Sequence, residues 1–149
     1  MTIASVLKAK GSDVLTVART ATLSEVSVAL AERRVGIAVV LSPEGVLEGV
    51  ISERDLIRKL AAHGPAALEM KVEDTMTRNV VTASPGTTLD QAMAVMSAGR
   101  FRHLPVLDKG VLVGIVSIRD AVGAKVGIQE TEVESLRAYV AGQQRGGGW

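Results

Sequence analysis

Gly49-Val50-Ile51-Ser52-Glu53-Arg54-Asp55 and Gly114-Ile115-Val116-Ser117-Ile118-Arg119-Asp120 each set a glycine, an apolar strand end, a hydroxyl and then an Arg-Asp pair on the first turn of a helix. The free backbone N–H groups of such a turn, at the positive end of the helix dipole, attract anions. A Ser hydroxyl and an Arg fork there can hold a phosphate. An aspartate cannot, but it can accept two hydrogen bonds from a ribose diol, as an acidic residue does in dinucleotide folds. Phosphate donors beside a diol acceptor describe a nucleotide site. Ser-x-x-Asp is also the spacing of a helix cap. Capping alone does not explain why Gly and Arg recur in register while Glu53 becomes Ile118.

The recurrence extends along the chain. Val14, Thr16, Thr22, Leu23, Arg34, Val40 and Leu41 return 66 positions later as Val80, Thr82, Thr88, Leu89, Arg100, Val106 and Leu107. After a one-residue deletion in a turn, Gly45-Val46-Leu47 and the motif residues return 65 positions later. A repeat of this length is one supersecondary unit copied, and two copies can pair their open faces.

Composition narrows the class. The 149 residues are 47% hydrophobic and 22% charged, which excludes disorder, and one Trp, one Tyr and one Phe leave an aliphatic core. A half of about 65 residues is marginal alone, so the halves are expected to share a core. No cysteine is present, which excludes disulfides and a thiol nucleophile and fits a reducing compartment. Met1 to Ala9 has no signal-peptide pattern, and no apolar run nears the roughly 20 residues of a membrane span. A cytoplasmic protein that does not engage a membrane is expected. A net charge of +1 with so few aromatics offers no nucleic-acid platform.

The elements that position the motifs follow from local signals. Short strands at Val14 to Ala18 and Val80 to Ala83 lead to Thr22-x-x-Glu25 and Thr88-x-x-Gln91, the spacing of a capping box. Leu23, Val26 and Leu30, matched by Leu89, Ala92 or Met93, and Met96, keep helical spacing and face the core. Two hairpins follow: Ile37 to Leu41 with Val46 to Ser52, and His103 to Leu107 with Val111 to Ser117. Last helices run from Glu53 to Ala62, stopped by Gly64-Pro65, and from Ile118 to Val126. The fold class is α/β (α+β): two β-α-β-β-α repeats with pseudo-two-fold symmetry and two equivalent clefts, plus a C-terminal helix. The divisions expected are residues 1–65 for the first repeat, 66–127 for linker and second repeat, and 128–149 for a helix carrying Val133, Leu136 and Val140 and a flexible tail, Gln143 to Gly148.

With these motifs, the Arg102-His103-Leu104-Pro105-Val106 segment and the element order, the chain from about Ile3 to Val126 resembles the stand-alone tandem CBS-domain proteins, the paired cystathionine-β-synthase-type or Bateman module. The resemblance implies a regulatory, non-catalytic module whose clefts bind adenosine-containing ligands: AMP, ADP, ATP, sometimes S-adenosylmethionine or NAD(H). It implies ribose acceptors at Asp55 and Asp120, polar contacts from Ser52, Ser117, Arg54 and Arg119, and Thr16, Val17, Thr82 and Ala83 around the base. It also implies a flat homodimer and an effector protein that reads the signal. The alternative is a dimeric interaction scaffold with vestigial sites.

The copies differ. Arg102-His103-Leu104-Pro105 stands where the first has Gly36-Ile37-Ala38-Val39, and Glu53 adds a carboxylate beside the first anion pocket. A like charge disfavours a polyphosphate. The tighter mononucleotide site is therefore expected to combine Arg102, His103 and Asp120. His63 reads as an exposed helix end, Arg33-Arg34 likewise, and neither histidine has a metal partner at a known spacing. Ser117, His103 and Asp120 could be drawn as a catalytic triad, but no nucleophile-elbow motif or oxyanion loop accompanies them.

Overall fold

The structure, a computed structural model, describes residues 1–146. Its elements run α1 (Ile3–Lys10), β1 (Thr16–Val17), α2 (Leu23–Arg33), β2 (Ile37–Leu41), β3 (Leu47–Ser52), α3 (Glu53–His63), two 3₁₀ turns (Gly64–Glu69 and Val72–Asp74), α4 (Leu89–Gly99), β4 (His103–Asp108), β5 (Val111–Ser117) and α5 (Ile118–Gly146). The first sheet has the order β1-β2-β3, with β1 parallel to β2, and the second is the hairpin β4-β5. Both hairpins bulge at the same repeat position, between Val40 and Leu41 and between Val106 and Leu107.

The helix starts form as their sequences dictate. The Thr22 hydroxyl accepts from Glu25 N at 3.2 Å, and Thr88 and Gln91 close a full capping box. Leu23, Val26 and Leu30 of α2 and Leu89, Ala92 and Met96 of α4 are buried. Arg34 and Arg100 end these helices in the left-handed region, at φ 54° and 56°. Their recurrence therefore begins with a shared helix ending.

The second copy's first strand shrinks to one bridge, Ala83 with Val106. Pro105 is the cause. In the first repeat Val39 N donates to Leu15 O at 2.9 Å. Pro105 occupies the equivalent place and has no N–H to offer the Val81 carbonyl, so the ladder cannot extend.

Two cores form rather than one. Leu23, Val26, Leu30, Ala38, Val40 and Ile51 anchor the first, and Leu89, Met96, Leu104, Val106 and Val116 the second. Each is completed by the segment that leads into the other repeat: Ile3 and Val6 enter the second core, Val72 and Met76 the first. The backbone contacts of this exchange match in detail. Leu89 N donates to Met1 O, Ile3 N to Thr87 O and Ala4 N to Pro85 O; at the equivalent places Leu23 N donates to Met70 O, Val72 N to Ala21 O and Glu73 N to Arg19 O. These six bonds express the pseudo-two-fold relation of the repeats.

α1 was not anticipated from the sequence; it packs on β5 and α5. The expected helix ending near Val126 and the separate C-terminal helix are one continuous α5. Gln143 to Gly146 continue that helix, and the remainder of the expected tail lies outside the described residues. Among the described residues no helix is long and apolar enough to cross a membrane.

Candidate functional site

Both motif glycines are placed by packing. A Cβ on Gly49 would lie 2.6 Å from Thr77 O, and one on Gly114 2.7 Å from Leu7 Cδ2. The exchanged lead-in segment crosses the strand there, and only glycine gives it room. The strand then delivers Ser52 or Ser117 to a helix start. Ser52 N donates to Asp55 Oδ2 at 2.8 Å and Ser117 N to Asp120 Oδ2 at 2.9 Å, so both motif pairs are capping boxes.

Capping uses only part of each pair. The Ser52 hydroxyl donates to Asp55 Oδ2 at 3.0 Å, which commits its proton. The Ser117 hydroxyl accepts from Asp120 N at 3.0 Å and also hydrogen-bonds the Asp120 carboxylate. Asp55 Oδ1 has no partner among the described residues.

A groove of about 460 Å³ opens between the repeats, a size in the usual range for small-molecule sites. It brings together Ser52, Arg54 and Asp55 of the first repeat with Arg102, His103, Ser117 and Arg119 of the second. Arg58 and Arg100 join them, so five guanidiniums face two carboxylates, Glu53 and Asp55. None of the five has a hydrogen bond or ion pair among the described residues. The Glu53 carboxylate lies over Gly36, where an added Cβ would come 3.2 Å from Oε1. Ile37, Val50, Val80 and Val81 provide apolar wall.

Asp120 is elsewhere. It borders a second hollow of about 510 Å³ between α1 and α5, walled by Met1, Val6, Ala9, Ala124 and Ile128. Lys10 Nζ pairs with its Oδ2 at 2.6 Å and donates to Ile115 O at 2.8 Å. In the first repeat the equivalent carbonyl, Val50 O, takes a backbone amide from Thr77. Burial alone would raise the Asp120 carboxyl. The hydrogen bonds from Lys10 and Ser117 and the Lys10 charge outweigh it and hold the carboxyl below its ordinary value.

Arg102 and His103 line the groove with Asp55, while Asp120 borders the second hollow and acts on the His103 imidazole through its charge. A repeat tells which residues are equivalent but not which copies face each other. Thr16 and Thr82 are exposed outside the groove lining; Val17 packs against the first core and Ala83 lies within the second. The walls near Asp55 come instead from Asn79, Val80 and Val81, just ahead of the expected positions. Pro105 was the available signal: without a ladder bond, Val81 stays 47% exposed.

His103 sits where both halves meet. Burial lowers its pKa from 6.5, as do Arg102 and Lys10, while Asp120 and Glu53 pull it upward. No hydrogen bond joins its imidazole to Ser117 or Asp120, so the drawn triad is not assembled. Among the described residues no cluster could hold a metal ion. His63 is exposed at the end of α3.

Two exchanged repeats around such a groove define a paired-repeat fold, and comparison places it. The chain belongs to the CBS domain family, whose model matches it twice, over residues 9–62 and 72–127. It is 36% identical to the mitochondrial CBS domain-containing protein CBSX3 of Arabidopsis thaliana, over 95% of this chain and 72% of that one. A second Arabidopsis relative, CBSCBSPB5, is 31% identical, and the match spans only 23% of its length. A CBS-domain containing protein from Agrobacterium tumefaciens superposes with a TM-score of 0.82 at 40% identity, covering 84% of this chain and 99% of that one. A CBS domain protein from Pyrobaculum aerophilum, complexed with AMP, gives 0.73 at 28% identity, covering 80% and 89%. A CBS domain pair in complex with 5′-methylthioadenosine and S-adenosyl-L-methionine gives 0.74 at 25%, covering 83% and 98%.

Proposed function

We propose that this protein is a non-catalytic regulatory module that binds an adenine nucleotide in the groove between its repeats. One observation carries the reading: an acceptor carboxylate, Asp55, shares an open groove with five guanidiniums that have no ion pair among the described residues, an arrangement that leaves net positive charge along the groove. The diol acceptor and the phosphate donors thus come from different repeats. The AMP complex of the Pyrobaculum protein supports adenosine chemistry for such a groove. Ile37, Val50, Val80 and Val81 are the surface on which the purine packs.

Ligand spanning both repeats favours the closed arrangement over the open one, which is the physical requirement for a switch. The module acts as a homodimer in a reducing compartment, the cytoplasm, and passes its state to an effector protein. A thermal-shift screen of AMP, ADP, ATP, NAD, NADH and S-adenosylmethionine tests the reading. A ligand at about 100 times its Kd adds about 2.7 kcal/mol of stability. Silence from all six defeats the proposal.

A second reading has one observation in its favour. Val133, Leu136 and Val140 are exposed along α5, Leu136 to 64%, as an interaction scaffold needs. Partner capture that ignores nucleotide and is lost on truncation after Val126 supports that alternative.

A further inference from the structure

We infer that the exposed stripe on α5 is where a second copy of this chain docks, the two α5 helices lying parallel and in register as a short two-stranded coiled coil. The inference does not use the nucleotide in the groove; it gives the homodimer of the reading above an interface.

α5 is longer than its own body can support. It runs for 29 residues, and Ile128 is the last of its described side chains packed against a core. Every residue over 129–141 is exposed. A helical stretch of that length is marginal in water by itself, because most helical stability comes from packing an apolar face.

The apolar face is present. Val122, Val126, Val133, Leu136 and Val140 are exposed, and with Gln129 they stand alternately four and three residues apart, the period of a coiled-coil seam. At 3.6 residues per turn these six fall within about 80° of the helix circumference, and Ala121 and Ile128, which face the second core, lie about a third of a turn away. The stripe therefore points away from the chain's own body. Valines at 126, 133 and 140 on one side of the seam, with Leu136 on the other, are the combination that favours two strands.

Charge and the one polar seam residue identify the second strand as a copy of the first. In a parallel pair, Glu132 flanks the seam and faces position 137 of the other helix, which in a second copy is an arginine; Lys125 likewise faces position 130, a glutamate. Lys125 already reaches Asp90 of its own chain at 3.3 Å, so Glu132 and Arg137 supply most of the match. Gln129 sets the direction. In a parallel, in-register pair it meets its own counterpart, and two amides can hydrogen-bond each other. An antiparallel pair sets each Gln129 against a valine of the opposite side.

Sedimentation of the full chain tests the inference. A dimer is expected, and Val133→Asp with Leu136→Asp is expected to give a monomer whose body melts as before, since neither side chain packs on it. Arg137→Glu is expected to weaken the dimer about tenfold, and Glu132→Arg in the same chain to restore it to within about threefold. The chain has no cysteine, so Gln129→Cys in a glutathione redox buffer reads direction: it is expected to cross-link the dimer, while Glu134→Cys, on the outer face, does not. A dimer that survives the two aspartates, or that Glu132→Arg fails to restore, overturns the inference and leaves the homodimer standing. A dimer in which Gln129→Cys does not cross-link overturns the parallel register. A full chain that is monomeric at every concentration overturns both the inference and the homodimer, and leaves the nucleotide reading intact.

Discussion

Asp55 uses Oδ2 to close the first turn of α3, which leaves Oδ1 as the acceptor a ribose diol meets. Cap and site are therefore compatible uses of one carboxylate. Asp55→Asn separates them, because the amide oxygen still caps but the charge is gone. It is expected to cost about 1.5–3 kcal/mol of nucleotide affinity, with thermal stability little changed. Unchanged affinity in calorimetry removes Asp55 from the site. His103 adds a pH dependence with a definite sign. Burial and Arg102 depress its pKa below 6.5, so the unfolded chain binds more protons than the folded one as pH falls below that value, and the free protein loses stability there. An anion in the groove pulls the imidazole the other way, so nucleotide binding strengthens over the same fall in pH. His103→Gln flattens both profiles, measured by melting temperature and by titration between about pH 5.5 and 7.5.

At the scale of elements, the two motif glycines make different demands. In Gly49→Ala the new Cβ meets the Thr77 carbonyl, part of a backbone paired in both directions with Val50. In Gly114→Ala it meets a leucine tip that can turn away. The first is expected to cost about 1–3 kcal/mol and the second distinctly less; denaturant unfolding of the two variants checks the order, and equal costs contradict it. The same elements show what the sequence made legible. Caps at Thr22 and Thr88, the helical spacing behind them and both hairpins are local signals, and they form as read. α1 escaped because its partners, Thr87 and Pro85, are distant in the chain. The strand expected at Val80 to Ala83 failed because Pro105, on the neighbouring strand, withholds one N–H. Which copy's arginine stands beside which copy's aspartate is not legible in the sequence either: Arg102 lines the groove with Asp55, and internal equivalence says nothing of such crossings.

At the scale of the whole molecule, the exchanged lead-in segments matter most. α1 completes the second core and the linker completes the first, so neither repeat is whole without the other. The groove lies between two bodies tied by these crossings, and a ligand that touches both biases their arrangement. Every groove residue precedes Val126, and the exposed reach of α5 follows it. Truncation after Val126 is therefore expected to leave nucleotide affinity within about twofold of the full chain, since no groove contact is removed. A tenfold loss in titration would show that α5 shapes the groove.

A crystal structure of the protein grown with ATP tests the central claim most directly. The account predicts ribose hydroxyls on the Asp55 carboxylate, the purine against Val80 and Val81, and phosphates beside Arg102 and Arg119. A nucleotide seated on Asp120, with Lys10 displaced and the groove at Asp55 unfilled, contradicts it.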